Sequence, residues 1–279
     1  MSRSDHYDDD HVAHPIYRMP TVFGPAYGPR QAPSGMQYDN VESPKKFCVY
    51  GAWLTEPQAL MRLLPAGFSL RGEPQVMFEF SYMTEIAWLA GRGYNMLTVR
   101  IPVSYQDGDD VIEGFFQPVV WENLTEPILS GREELGWSKI YADLPPGTRE
   151  HDDLICHAEW MGFRFFEMKL NVASLTDGAP LQSAPVLHHK YVPATERWGQ
   201  ADVDYVTLTP AGGSRARMLD SAVTTRCEAQ FYRPRWQDMP TQFSIVHGLA
   251  DLPLLTLVRA GTYRTVGGKD LSDQRRLAR

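Results

Sequence analysis

Cysteine is scarce in this chain of 279 residues. Cys48, Cys156 and Cys227 are widely spaced and odd in number, which excludes a disulfide framework and fits a reducing cytoplasm. Long apolar runs are missing too: none approaches the ~18 residues that cross a bilayer. The opening "MSRSDHYDDDHVAH" is acidic and polar where a secretory leader would be apolar. Positive charge is not in excess. With 27 Lys and Arg against 34 Asp and Glu, the net charge of -7 excludes a broad nucleic-acid or anionic-membrane surface. Metal-ligand spacing is also absent. His6, His11 and His14 belong to a polar tail. In "HDDLICH" a strand would turn Cys156 and His157 to opposite faces, and "LHHKYV" does the same with His188 and His189. "GRGYN" lacks the strand-turn-helix setting of a phosphate loop. These absences predict a soluble, cytoplasmic protein with no metal, no nucleic-acid partner and no membrane.

What is present is ordinary globular composition, 43% hydrophobic and 22% charged, on a chain long enough to bury a sizeable core. Residues 1–45 collect Pro, Gly, Asp and Tyr, and "FGPAYGPRQAPSG" cannot continue a helix and has few ladder donors. This reads as an acidic flexible tail over 1–20 and an irregular lead-in, then one domain over 21–270 and a short tail at 271–279. "LTEPQALMRLLPAGF" predicts a helix over 55–64, with Thr55 as cap, Pro57 in the first turn and Pro65 as stop. Thereafter the apolar period is two. Residues 74–83, 96–105 and 111–122 predict strands, 154–170 a hairpin split at Gly162, and "DVDYVTLT", "AVTTRCEAQFY" and "PLLTLVRAGTYRTV" further strands. The expected fold is mainly β (α+β): an antiparallel, closed or nearly closed β-barrel or cone with peripheral helices.

One interruption stands out. "TEPILSGREELG" predicts a second helix over 126–136, with Thr125 as cap, Pro127 in its first turn and Gly136 at its end. Lys139 follows at once, between Trp137-Ser138 and Ile140-Tyr141, an apolar setting for a residue that normally stays on the surface. "GREELGWSK" resembles the "GRE-x-x-x-x-P-K" segment of the acetoacetate decarboxylase-like superfamily, with Gly131, Arg132, Glu133 and Lys139 in register and Ser138 in place of the usual proline. "ALMRLLPAGFSL" looks like that family's first helix, "VMFEFSYM" like its Glu-bearing strand, and "GYNMLTVRIPVSY" like its "YTESGQAIPVSF" segment. The likeness spans about residues 20–270 and is strongest around Lys139. It implies the barrel or cone of that family and a lysine that forms a Schiff base with a keto acid. It also implies no cofactor, a small-molecule keto acid as partner and a homo-oligomer.

The departures bear on mechanism. The family's decarboxylases place a second lysine directly after the reactive one; here that residue is Ile140. They carry a second Glu in the "YTE" segment; here it is Met96, while the first Glu is kept as Glu79. A basic residue near the N-terminal strand is matched loosely by Lys46. Lysine attacks a carbonyl only as free amine, and an ordinary pKa near ~10.4 leaves little of it at neutral pH. Desolvation or a neighbouring cation lowers that value, which is the family's known device. With Ile140 in place of the cation, burial by Trp137, Ile140 and Tyr141 must do more, with Arg132 as a residual cation and a fork for a substrate carboxylate.

Once formed, an imine withdraws electrons. A β-keto acid then loses CO2, whereas a 2-oxo acid such as pyruvate loses a proton and attacks an aldehyde. The losses at Met96 and Ile140 favour aldolase or dehydratase chemistry over acetoacetate decarboxylation. Acetoacetate decarboxylase proper and a non-catalytic β-barrel binding protein are the alternatives. The predicted catalytic residues are Lys139, Glu79 and Tyr263, and the predicted substrate-binding residues are Arg132, Arg100, Met96 and Trp137. Structural roles compete for some of them: Glu79 paired with Arg100, Tyr263 as a plain strand tyrosine, Arg100 at the rim.

Overall fold

A computed structural model describes residues 14–179 and 183–277. His6, His11 and most of the tail assigned to 1–20 lie outside the described residues, as do the last two residues of the C-terminal tail.

Alternation along the strands dictates the layout. Lys45–Leu54, Gln75–Ile86, Arg92–Asp107 and Thr256–Val266 lie side by side in a 13-stranded sheet. Successive side chains point to opposite faces. Register then aligns Cys48 with Ser81 and with Tyr263, Glu79 with Thr98, and Met96 with Glu122 on one face. The other face presents Val49, Phe78, Phe80, Leu97, Val99 and Trp121 to the hydrophobic core. That face packs on a separate four-stranded sheet of Thr148–Glu150, Asp153–Trp160, Phe163–Asn171 and Cys227–Phe231. Phe166 sits at the join, its ring centroid 5.1 Å from that of Phe78 and 4.4 Å from that of Phe231. Truncating such a buried phenylalanine to alanine costs ~3–5 kcal/mol.

The expected closed or nearly closed antiparallel barrel is not what forms. The large sheet is open, ending at Thr176–Asp177 on one side and Arg275–Arg276 on the other. It is also mixed, since residues 186–187 run parallel to 115–116, and Val120–Glu122 runs parallel to Lys139–Tyr141. The two end strands, of two residues each, are not paired with each other. The small sheet, rather than a far edge curling back, covers the apolar face. Periodicity within a strand predicts its two faces and carries no information about closure.

Most predicted segments form with shifted ends, but residues 222–232, expected as one strand, divide between Arg217–Thr224 of the large sheet and Cys227–Phe231 of the small one. The stretch 111–122 is two strands, Asp110–Phe116 and Val120–Glu122, broken around Pro118, which has no ladder donor. The hairpin turns at Met161-Gly162, both at positive φ. The first helix is Pro57–Met61, and Thr55 makes no cap hydrogen bond to it. The second is Thr125–Ser130, continued by a π turn at Gly131–Leu135 and ended by Gly136 at φ 80. A third helix, Phe243–Ala250, was not anticipated. Gln242, just before it, accepts the Trp121 indole N–H at 2.8 Å and donates to the Tyr141 carbonyl at 2.9 Å. It thereby clips together the two parallel strands that build the site. No described helix is long and apolar enough to cross a membrane.

Candidate active site

Lys139 is 5% exposed at the start of its strand, and a tight local fold holds it there. The π turn and the left-handed Gly136 bring the chain back so that the Trp137 N–H reaches the Gly131 carbonyl at 3.0 Å. The lysine side chain then lies directly over Gly131. A Cβ on that glycine would stand 2.4 Å from the lysine Cδ and 2.5 Å from Cε. The glycine of the "GRE" segment is therefore a seat, needed for space rather than for backbone freedom, since its φ of -68 suits any residue.

Among the described residues, three groups besides Gly131 address the ammonium. Glu122 Oε1 lies 2.8 Å from Nζ, the Pro127 carbonyl accepts from it at 3.0 Å, and the Trp137 ring centroid is 5.0 Å away. Glu122 is fully buried, and no described residue gives either of its oxygens a well-aligned hydrogen bond. Burial pushes its carboxyl above the ordinary range, and the Lys139 charge offsets this only in part. Sequence reasoning missed Glu122. Its signal was faint: one acidic residue closing the apolar run "PVVWE", two positions from Val120 and hence on the same face. Its pairing with the lysine strand is made by a crossover, which no local pattern reveals.

A second buried carboxylate behaves oppositely. Glu79 receives the Tyr263 hydroxyl at 2.9 Å and the Ser81 hydroxyl at 3.3 Å, and Arg100 stands 3.5 Å away. Burial opposes its charge, but Arg100, Lys46 and the two hydroxyls prevail and hold it below the usual carboxylate range. Burial and the Glu79 charge push Tyr263 well above its ordinary value, so it stays a donor. The structural pairing of Glu79 with Arg100 is thus present. Arg100 also reaches Gln117 at 3.4 Å.

A cavity of about 310 Å³ opens beside Lys139. Of the predicted residues, Lys139, Met96 and Trp137 line it, while Glu79, Tyr263, Arg100 and Arg132 are not among its lining. Arg132 donates to the Lys139 carbonyl at 2.9 Å and lines a different groove, so it fixes the lysine's backbone. Lys46 does line the cavity. Among the described residues it has no hydrogen bond or ion pair, and its ammonium lies 5.3 Å from the Tyr263 ring centroid, linking the cavity to the Glu79 cluster. Ile140 packs against the apolar core while Lys139 points the other way, as strand alternation requires. A lysine at position 140 would therefore not face the amine of Lys139. Trp137 stacks on buried His188 with centroids 4.6 Å apart. Burial, then the charges of Lys139 and Arg100, hold that imidazole well below its ordinary value and neutral.

No curated protein matches the chain. Among solved structures, an acetoacetate decarboxylase from Legionella pneumophila subsp. pneumophila str. Philadelphia 1 is similar at 20% identity and a TM-score of 0.59, over 85% of this chain and 91% of that one. An acetoacetate decarboxylase-like enzyme from Sphingomonas wittichii RW1 gives 18% identity and 0.60, over 85% and 94%. The enduracididine biosynthesis enzyme MppR, complexed with the condensation product of pyruvate and imidazole 4-carboxaldehyde, gives 17% and 0.54, over 89% and 98%. At these identities the likeness is one of fold. The sequence itself matches the acetoacetate decarboxylase (ADC) family over residues 18–269, nearly the whole described chain, and the protein belongs to that family.

Proposed function

We propose that this protein is a lyase that holds a small keto acid as a Schiff base on Lys139, and that it favours condensation or dehydration of a 2-oxo acid over decarboxylation of acetoacetate. The observation that carries this reading is the seat of Lys139: a buried amine, laid over a glycine that leaves it room, at the wall of a cavity. The amine attacks the substrate carbonyl, water leaves, and the iminium draws electrons from the neighbouring carbon. Pyruvate bound this way loses a C3 proton, and the resulting enamine adds to an aldehyde.

The cavity supports the preference. Trp88, Tyr94 and Trp137 with Met83 and Met96 give an apolar, aromatic lining suited to an aldehyde's ring. Lys46, the lining cation with no ion-pair partner, takes the substrate carboxylate in this reading. MppR in complex with a pyruvate–aldehyde condensation product is a precedent within the same fold.

The test is borohydride reduction with pyruvate or acetoacetate, followed by peptide mass analysis, beside assays of CO2 release and of pyruvate condensation with aromatic aldehydes. A single adduct on the Lys139 peptide, lost in Lys139→Ala, and condensation faster than CO2 release are expected. No adduct with any keto acid would sink the Schiff base and leave a ligand-binding pocket. Fast CO2 release without condensation would make the protein a decarboxylase proper.

A further inference from the structure

Schiff-base formation at Lys139 needs more than an amine. Two protons of the ammonium must leave it and end on the departing water. The lysine side chain is 6% exposed, and a substrate that fills the cavity displaces water from beside the amine. With the cavity occupied, a protein group that takes a proton and returns it is the nearest carrier.

The surroundings of Nζ narrow the choice. The Pro127 carbonyl accepts a hydrogen bond but not a proton. Trp137 offers a ring face. His188 has Thr209 on its Nε2, no hydrogen bond joins it to Lys139, and its neutral form is strongly favoured. Glu79 is held by Arg100, Tyr263 and Ser81, an arrangement that keeps it ionised and occupied. Glu122 remains. It is in contact with Nζ at 2.8 Å, fully buried, and carries lone pairs that no described residue aligns with.

We infer that Glu122 is the proton shuttle of imine formation at Lys139, a catalytic residue in direct contact with the reacting nitrogen. This inference rests on the Schiff-base reading above. First the ammonium gives a proton to the Glu122 carboxylate, leaving a free amine and a neutral carboxyl. The nitrogen lone pair then bonds to the substrate carbonyl carbon. The C=O π pair moves to oxygen, which takes the proton back from Glu122 and becomes a hydroxyl. The nitrogen, now carrying two protons and a positive charge, returns one proton to Glu122. Finally the C–O bond breaks, the hydroxyl leaves with that proton as water, and the nitrogen lone pair forms the C=N bond. The iminium retains one proton, Glu122 is again a carboxylate, and no oxidant or reductant is required. An anion thus faces a cation at both ends of the sequence.

Environment supports the division of labour between the two buried carboxylates. Burial raises Glu122 toward the range in which a carboxyl accepts and releases protons readily, while the partners of Glu79 push it the other way. The charged and titratable groups that act on Glu122 are few. Lys139 faces it from strand Lys139–Tyr141, and Tyr94 lies on strand Arg92–Asp107, with its phenol held neutral by burial and by the Glu122 charge. Acid that protonates Glu122 removes the acceptor, so imine formation should fall at low pH, starting above the ordinary carboxylate value.

The experiment measures the rate of cyanoborohydride trapping of pyruvate on Lys139 in wild type, Glu122→Gln and Glu122→Asp, across mildly acid to mildly basic pH, with near-ultraviolet circular dichroism to verify folding. A shuttle contributes about a hundredfold or more. Glu122→Gln should slow trapping by that factor and lose the acid limb, while Glu122→Asp keeps the limb at an intermediate rate. The opposite sign is available to the opposing idea. If Glu122 merely holds the ammonium charged, removing it frees the amine, so trapping in Glu122→Gln at the wild-type rate or faster overturns the inference. Should Glu122→Gln fail to fold, Glu122→Asp decides: a slower rate with a displaced limb upholds the shuttle, and an unchanged profile overturns it. Absence of trapping in wild type would instead overturn the Schiff-base reading, and the shuttle with it.

Discussion

Gly131→Ala isolates the seat of the lysine from the stability of the fold. The added methyl would lie 2.4 Å from Lys139 Cδ, 2.5 Å from Cε and 2.8 Å from Nζ. Non-bonded carbons settle ~3.5–4.0 Å apart, so the lysine chain must retreat by about 1 Å. The backbone at 131 is helical, with φ -68, so alanine brings no strain. In a helix interior it gains up to ~1 kcal/mol over glycine. Overpacking costs ~1–3 kcal/mol, so the net loss of stability is about 0–2 kcal/mol. A misplacement of that size at a reacting atom costs about a hundredfold in rate. The variant should therefore stay folded, melting within a few degrees of wild type, while cyanoborohydride trapping of pyruvate falls about a hundredfold. Gly162→Ala is the control. It sits at φ 84 with no atom within 4 Å of the new methyl, so it strains a surface turn by ~1–2 kcal/mol and should leave trapping intact. Wild-type trapping by Gly131→Ala would refute the argument that the missing side chain makes room for the nucleophile.

Two further outcomes are expected. Ile140→Lys places a charge on the core face of its strand, so it should lower the melting temperature without accelerating trapping at Lys139; faster trapping would mean that position 140 does address the amine. Glu79 has a folded pKa held below its unfolded value, so its stabilisation is fully present above about pH 4.3 and is lost as pH falls through the lower, folded value. Glu79→Gln should therefore cost about 1–3 kcal/mol at neutral pH, because Arg100, itself partly exposed, loses its charged partner. The gap to wild type should narrow in acid; a gap equally wide at about pH 3 would contradict the assigned pairing.

The strands were legible because each carries its own two-residue period. The position of Lys139 was legible because Pro127 and Gly136 punctuate the segment before it. Closure of the sheet was not, since it depends on which edges meet, and edges of two residues leave no trace in an apolar pattern. Glu122 was overlooked for a related reason: nothing near "VVWEN" announces that its strand will run parallel to the one that begins at Lys139. Arg132 shows a different limit. Its presence beside the lysine in sequence suggested a partner for substrate, yet its guanidinium turns back to the Lys139 carbonyl. Ile140 shows the same limit in reverse, because adjacency along a strand means opposite faces in space.

The two-faced sheet has a bearing on how such a protein diversifies. Leu97 and Val99 hold the molecule together, while Met96, Thr98 and Arg100, interleaved with them, address the other side. A mutation at Met96 alters shape near the cavity and leaves core volume untouched, so it escapes the penalties of repacking. Glu79 and Arg100 differ, because each compensates the other's charge and must be exchanged together. A lineage built on this sheet can therefore vary its cavity wall one residue at a time, while the ion pair beneath it and the apolar neighbours stay under restraint.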